Sequence, residues 1–154
     1  MRMVIQRVHH ASVSMQVDKS EVSSIGAGLM CLVGIAGNDT RADMEYCVRK
    51  ALKCRLWPEI LLVSQFTLFG SLKKGNKPDF HAAMEPKLAH ELFEQVIELC
   101  KSEYQNEKVK IGSFGNLTSI LYENDGPVTL LIDSHEMNLN RKPKQRVKVD
   151  NSKM

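Results

Sequence analysis

The stretch "LLVSQFTLFG", residues 61–70, decides how the chain is read. Leu61, Leu62 and Val63 are apolar without alternation, the pattern of a strand covered on both faces. Ser64 and Gln65 then place a hydroxyl and an amide where the core should continue, and Thr67 adds a second hydroxyl after Phe66. Two readings stand. The polar side chains bond neighbouring backbone at a strand end, or they form a wall of donors facing a polar ligand.

Working outward, "EILLVSQFTL" is read as the central strand. On its N-terminal side, "MRMVIQRV" and "ASVSMQV" show partial period-two alternation and predict two strands, with "DKSEVSS" as the turn that follows. "IGAGLMCLVGIA" is too apolar for a surface element, and its glycines favour a buried, bent strand over a helix. Asp39 and Thr40 are cap candidates for a helix whose Met44, Cys47, Val48, Ala51 and Leu52 recur at helical spacing. On the C-terminal side "GSLKKGNKPDF" is a long loop. A second helix is expected from Pro86, with Leu88, Leu92, Phe93, Val96 and Leu99 as its inner stripe. "KVKI", "NLTSILYE" and "VTLLID" predict three more strands. The fold expected is α+β (mixed α/β): a largely antiparallel sheet curled into a barrel-like core, two packed helices, a single domain.

Composition sets limits. The chain has 154 residues, enough to bury a core without staples. No apolar run approaches the roughly 20 residues of a membrane span, and no signal peptide opens the sequence, so a cytoplasmic protein with no membrane partner is expected. Cys31, Cys47, Cys54 and Cys100 form no C-x-x-C and read as free thiols. The histidines are scattered, so neither metal nor cofactor is expected. The net charge of +3 is uneven: six Lys or Arg against Asp150 put +5 in residues 141–154, leaving −2 in residues 1–140. That division gives a domain over 1–140 and a basic, disordered tail over 141–154. The tail is either a solvated end or a non-specific hold on phosphates.

No G-x-S-x-G, H-E-x-x-H, P-loop or dinucleotide fingerprint is present. The other informative stretch is "NDGPVT", residues 124–129. Pro127 stands where a strand begins, one of the few places a sheet accepts proline. Local chemistry alone reads a β-turn leading into "VTLLID".

"SQFTL" and "NDGPVT" together resemble the D-aminoacyl-tRNA deacylase family. "VIQRV" with "ASVS", "IGAGLMCLVGI", "KKGNKPDFHAAM" and "GSFGN" look like that family too, in its order, so the resemblance covers roughly residues 1–135. It implies a homodimer whose interface pocket receives the aminoacylated 3′-terminal adenosine of a tRNA. Carried over, Ser64, Gln65, Phe66 and Thr67 form the pocket floor. Gly126 and Pro127, joined by a cis peptide bond, enter from the other subunit as a stereochemical filter. Arg7 supports that Gly-Pro loop, and Phe80, Met84 and Phe114 are walls for the adenosine. The reaction implied is hydrolysis of the ester of D-aminoacyl-tRNA. Glycine has no side chain to clash with the filter, so glycyl-tRNA mischarged on tRNA-Ala is a further implied substrate.

An aminoacyl ester is already activated. It needs a positioned carbonyl, donors for the developing oxyanion and a water. The backbone N–H groups of Phe66 and Thr67 are the candidate catalytic donors. Thr67 as covalent nucleophile is the competing mechanism, but no base that would activate it is visible. The resemblance suggests that the terminal 2′-hydroxyl of the RNA assists instead. A reading of another class stays open: a non-catalytic nucleic-acid-binding protein that uses the basic tail. Two departures from the family are evident. "RLWPEILLV" runs straight into the strand where relatives carry a longer loop, so a break in the chain is expected between Trp57 and Glu59. Thr118 stands where the family usually has methionine.

Overall fold

The computed structural model describes residues 1–54 and 58–137. The expected break at Trp57 and the tail over 141–154 fall outside the described residues.

The backbone is organised by its first strand, β1 (Arg2–Met15). Two strands were expected here, but the chain runs on without a turn. Along one edge β1 pairs antiparallel with β3 (Gly28–Gly34) and further on with β2 (Glu21–Ile25). "EVSSI" is therefore a strand, and the turn before it is shorter than expected. Along its other edge β1 pairs with β6 (Thr118–Asp133), which joins the two predicted strands "NLTSILYE" and "VTLLID" into one. The local turn signal of Gly-Pro is overridden by this long ladder; what remains of it is an irregularity inside the strand.

β4 (Glu59–Ser64) lies between β3 and β5 (Val109–Ile111) and is parallel to both. The sheet is thus mixed: three antiparallel pairings and two parallel ones among the described residues. The sheet curls until β2 meets β5, where Ser23 Oγ donates to the carbonyl of Ile111 at 2.7 Å, and the barrel nearly closes. Two helices, α1 (Arg41–Lys53) and α2 (Pro86–Glu103), pack outside it.

β4 explains its own lack of alternation. Ile60 and Leu62 face the helices, in a core with Val48, Phe93 and Val96. Leu61 and Val63 face the barrel interior, against Val8, Val13 and Met30. The caps follow local chemistry. Thr40 precedes α1, and the carboxylate of Asp43 accepts from its N–H at 2.9 Å and its hydroxyl at 2.7 Å. Glu85 precedes α2, accepting from the N–H groups of Lys87 and Leu88, with Pro86 in the first turn. The inner stripe of α2 is Ala89, Leu92, Phe93, Val96 and Cys100, while Leu88 is turned out, 54% exposed, against expectation. At helical spacing Leu88 stands one position off the buried face.

The four cysteines are unpaired. Burial pushes the Cys47 and Cys100 thiols up to about 12, which keeps them protonated and inert.

A strand buried on both faces should be sensitive on both. Leu61→Ala and Leu62→Ala are each expected to cost about 2–5 kcal/mol in urea unfolding. A near-neutral result for either one would show that its face of β4 is not packed.

Candidate functional site

The polar residues after Val63 stand where the chain leaves the sheet. β4 ends at Ser64, and Gln65 N–H donates to Val33 O at 2.7 Å as its last tie to β3. The central strand was expected to run to Leu68, but Phe66–Phe69 instead form one 3-10 turn. In it Leu68 N–H donates to Gln65 O at 3.3 Å and Gly70 N–H to Thr67 O at 2.9 Å. Phe66 and Thr67 are the first two residues of this turn, so their own N–H groups have no partner within it. No bond from either is recorded among the described residues. The Gln65 amide donates to the hydroxyl of Thr67. An amide is not a base, so this contact does nothing to activate that hydroxyl as a nucleophile.

A cavity of about 500 Å³ opens beside the turn. Ser64, Gln65 and Phe66 line it together with Phe80, Met84 and Phe114. The structure thus brings together six of the ten candidate residues, drawn from the end of β4, the loop before α2 and the loop before β6. Apolar packing sets the walls. Phe66 and Phe80 meet edge to face with centroids 5.1 Å apart, and Phe114 leans on Phe93 at 5.6 Å. Gly70 makes the first of these contacts possible, because a Cβ there would lie 2.9 Å from Phe80 Cε1. A hollow of about 580 Å³ on α1, with Tyr46, Lys50 and Lys53, gathers none of the candidates.

Thr67, expected on the pocket floor, does not line this cavity, and neither do Gly126, Pro127 and Arg7. The last three meet elsewhere on the sheet. β6 follows β1 from Thr129 opposite Gln6 to Asn124 opposite Val8, so the four residues 125–128 bulge out opposite Arg7. Arg7 holds the base of the bulge: Nε donates to the carbonyl of Asp125 at 3.2 Å, and Nη2 to its carboxylate at 3.2 Å. Gly126 has φ +118°, and a Cβ there would lie 2.7 Å from Val128 Cγ2 and 3.0 Å from Arg7 Nη2, so only glycine fits. The Gly126–Pro127 peptide is cis, as the resemblance implied. Both residues are exposed.

Register separates the two groups within one chain. Gly126 and Pro127 are level with Arg7, whereas Ser64 is level with Val33 and Met3. That is four residues along the strands, about 13 Å at the rise of a strand.

Two contributors escaped the sequence reading. Asn124 closes the bulge with its side chain: Oδ1 accepts from Val128 N–H at 3.0 Å, and Nδ2 donates to Val128 O at 3.3 Å. It replaces a ladder partner that the bulge removes, and its place directly before Asp-Gly-Pro was the available signal. Glu85 lines the cavity while capping α2, which Pro86 could have suggested. Among the described residues no group of three or more His, Cys, Asp or Glu is placed to hold a metal.

Compared with known proteins, the chain matches the family model described as D-Tyr-tRNA(Tyr) deacylase over residues 4–59 and 57–133. The two pieces meet at the place where the longer loop of the family was expected to be missing. The chain is similar to D-aminoacyl-tRNA deacylase of Plasmodium falciparum, 45% identical over 164 aligned positions covering 92% of this chain and 100% of the relative. Among solved structures, the c-Myc DNA Unwinding Element Binding Protein superposes with a TM-score of 0.79 at 38% identity, over 86% of this chain and 98% of that one. A probable eukaryotic D-amino acid tRNA deacylase superposes at 0.74 with 16% identity and the same coverage, a likeness of fold alone.

If the Asn124 side chain stands in for a ladder partner, Asn124→Ala should release the Val128 amide. Its hydrogen exchange is expected to accelerate about tenfold or more, with core amides of β4 unchanged. Unaltered protection at Val128 would show that something else holds the bulge.

Proposed function

The chain belongs to the D-Tyr-tRNA(Tyr) deacylase family, and from that premise we propose that it hydrolyses the ester bond of D-aminoacyl-tRNA, freeing the D-amino acid and the tRNA. The observation that carries the reading is the pairing of an open cavity of about 500 Å³ at "SQFTL" with an exposed, tightly braced Gly126–Pro127 bulge. The cavity takes the aminoacylated 3′-terminal adenosine, with Phe80, Met84 and Phe114 against the base. The N–H groups of Phe66 and Thr67, free at the start of their turn, face the developing oxyanion. The protein then adds little beyond position to an ester that is already activated. Thr67 does not act as a covalent nucleophile on this reading, since its hydroxyl has an amide rather than a base beside it.

The two halves of the site come from two copies of the chain. The bulge cannot close on the cavity of its own chain while it is braced about 13 Å along the sheet from Ser64. β6 also supplies a surface for a partner: Leu121, Leu130 and Leu131 are exposed, at 68%, 43% and 60%, on a strand that among the described residues pairs with β1 alone. Exposed apolar strands of this kind are covered by association. In the homodimer Gly126–Pro127 of one subunit enters the "SQFTL" cavity of the other. D and L aminoacyl groups differ in the direction in which the side chain leaves Cα. A rigid backbone wall excludes one direction without regard to the identity of the group. Glycine passes, which makes mischarged glycyl-tRNA a second substrate. The enzyme works in the cytoplasm, where its four thiols stay reduced. No helix of the described residues is long and apolar enough to cross a membrane.

The relative named as a DNA unwinding element binding protein favours a second reading, a nucleic-acid binder without catalysis. One assay separates the two. With matched D- and L-tyrosyl-tRNA, kcat/KM is expected to favour the D ester by at least about a hundredfold, or about 2.7 kcal/mol of differential transition-state stabilisation. Hydrolysis of neither ester, with tRNA still bound, would establish the binding reading instead.

A further inference from the structure

The adenosine cavity does not end at Phe80. A second hollow of about 530 Å³ shares that ring and continues outward over Lys77, Pro78, Asp79 and His81. It belongs to a loop whose ends are pinned to each other. Ser71 N–H donates to Asp79 O at 2.8 Å, and Asp79 N–H donates to Ser71 O at 2.9 Å. Between these ties lie Lys73, Lys74 and Lys77, all exposed. No ion pair recorded among the described residues involves any of the three. The one acidic group in the hollow is already engaged, because the Asp79 carboxylate accepts from His81 N–H at 2.9 Å and contacts its ring.

An exposed aromatic ring beside cations that have no protein partner is how proteins hold single-stranded nucleic acid. The ring carries a base by stacking, and the cations follow the phosphates. Phe80 is 38% exposed, so part of its surface stays open after Phe66 has packed against it. Resting on the reading that the first cavity takes the terminal adenosine, we propose that the second hollow is the subsite for the nucleotide immediately before it. Phe80 divides the two subsites and offers the outer one a surface for its base, while Lys77 meets the connecting phosphate. Lys73 and Lys74 on the same loop extend the positive surface toward the preceding phosphates. The Asp79 carboxylate raises the proton affinity of the His81 imidazole beside it, so its own charge is turned toward His81 and not toward the lysines. This subsite reads backbone and stacking rather than sequence, which suits a single-stranded end presented by many tRNAs.

The test compares two substrates on Lys77→Ala and Lys77→Glu in the full chain. D-Tyrosyl-tRNA spans both subsites, whereas D-tyrosyl-adenosine fills only the inner one. The expected result is a raised KM for D-tyrosyl-tRNA, larger for Glu than for Ala, with hydrolysis of D-tyrosyl-adenosine unchanged. The slope of log(kcat/KM) against log[salt] for the tRNA should shrink by about 0.7, the signature of one lost contact with a single-stranded phosphate. Equal losses on both substrates would place Lys77 in the inner cavity, and no change on either would leave the outer hollow empty. Dissociation of the dimer by Lys77→Glu would assign the hollow to the subunit interface. Each of these three outcomes overturns the subsite while leaving the deacylase reading in place. Failure of the unmodified protein to hydrolyse D-tyrosyl-tRNA overturns both.

Discussion

The pairing of β1 with β6 is the constraint on which the rest of the structure depends. β1 uses both edges along most of its length, so β2, β3 and β6 all take their position from it. β4 and β5 are then added in parallel beyond β3. This long ladder tolerates two irregularities, a small register shift at His9 and the larger excursion of the four residues opposite Arg7. Arg7 and Asn124 tie both ends of that excursion, through Asp125 and Val128. A loop at a strand end could swing; a bulge held inside a ladder has its position fixed by the pairs on either side. On the proposed reading, that is why the stereochemical wall is built here.

The opposite strategy governs the "SQFTL" end. There the chain departs from the sheet, and the departure releases backbone N–H groups from the ladder. A continued strand at Phe66 and Thr67 would have used those groups against a neighbour. The 3-10 turn leaves them unspent, and packing of Phe66 on Phe80 keeps the turn in place. Three hydrogen-bonding side chains follow a buried run because the run stops: Ser64 and Gln65 line a cavity, and Thr67 holds the Gln65 amide.

What the sequence revealed depends on how local each signal is. Periodicity placed both helices and most strands, because burial of one face is written in neighbouring residues. The parallel pairing of β4 was not readable, since a strand covered on both faces looks the same whatever the direction of its partners. The single long β6 was missed for a related reason. Gly126 and Pro127 favour a turn locally, and only the distant register with β1 carries the strand through them. Leu88 was assigned to the buried face by type, although Ala89 holds that position. The cavity residues Phe80, Met84 and Phe114 came from family resemblance, because three loops distant in sequence converge on them. Asn124 was passed over because an asparagine before Asp-Gly reads first as a turn residue.

The central claim is that the site is complete only when two copies meet, and subunit mixing tests it most directly. Gly126→Phe should ruin the wall, and Ala83→Trp should fill the cavity that Ala83 lines. Each homodimer should be inactive toward D-tyrosyl-tRNA. After dissociation and reassembly as an equal mixture, heterodimers should hold one intact cavity facing one intact Gly126–Pro127. The account predicts recovery of about a quarter of the unmodified activity, from half the dimers with one working site each. A mixture that forms heterodimers yet stays inactive would show that each chain builds its site alone.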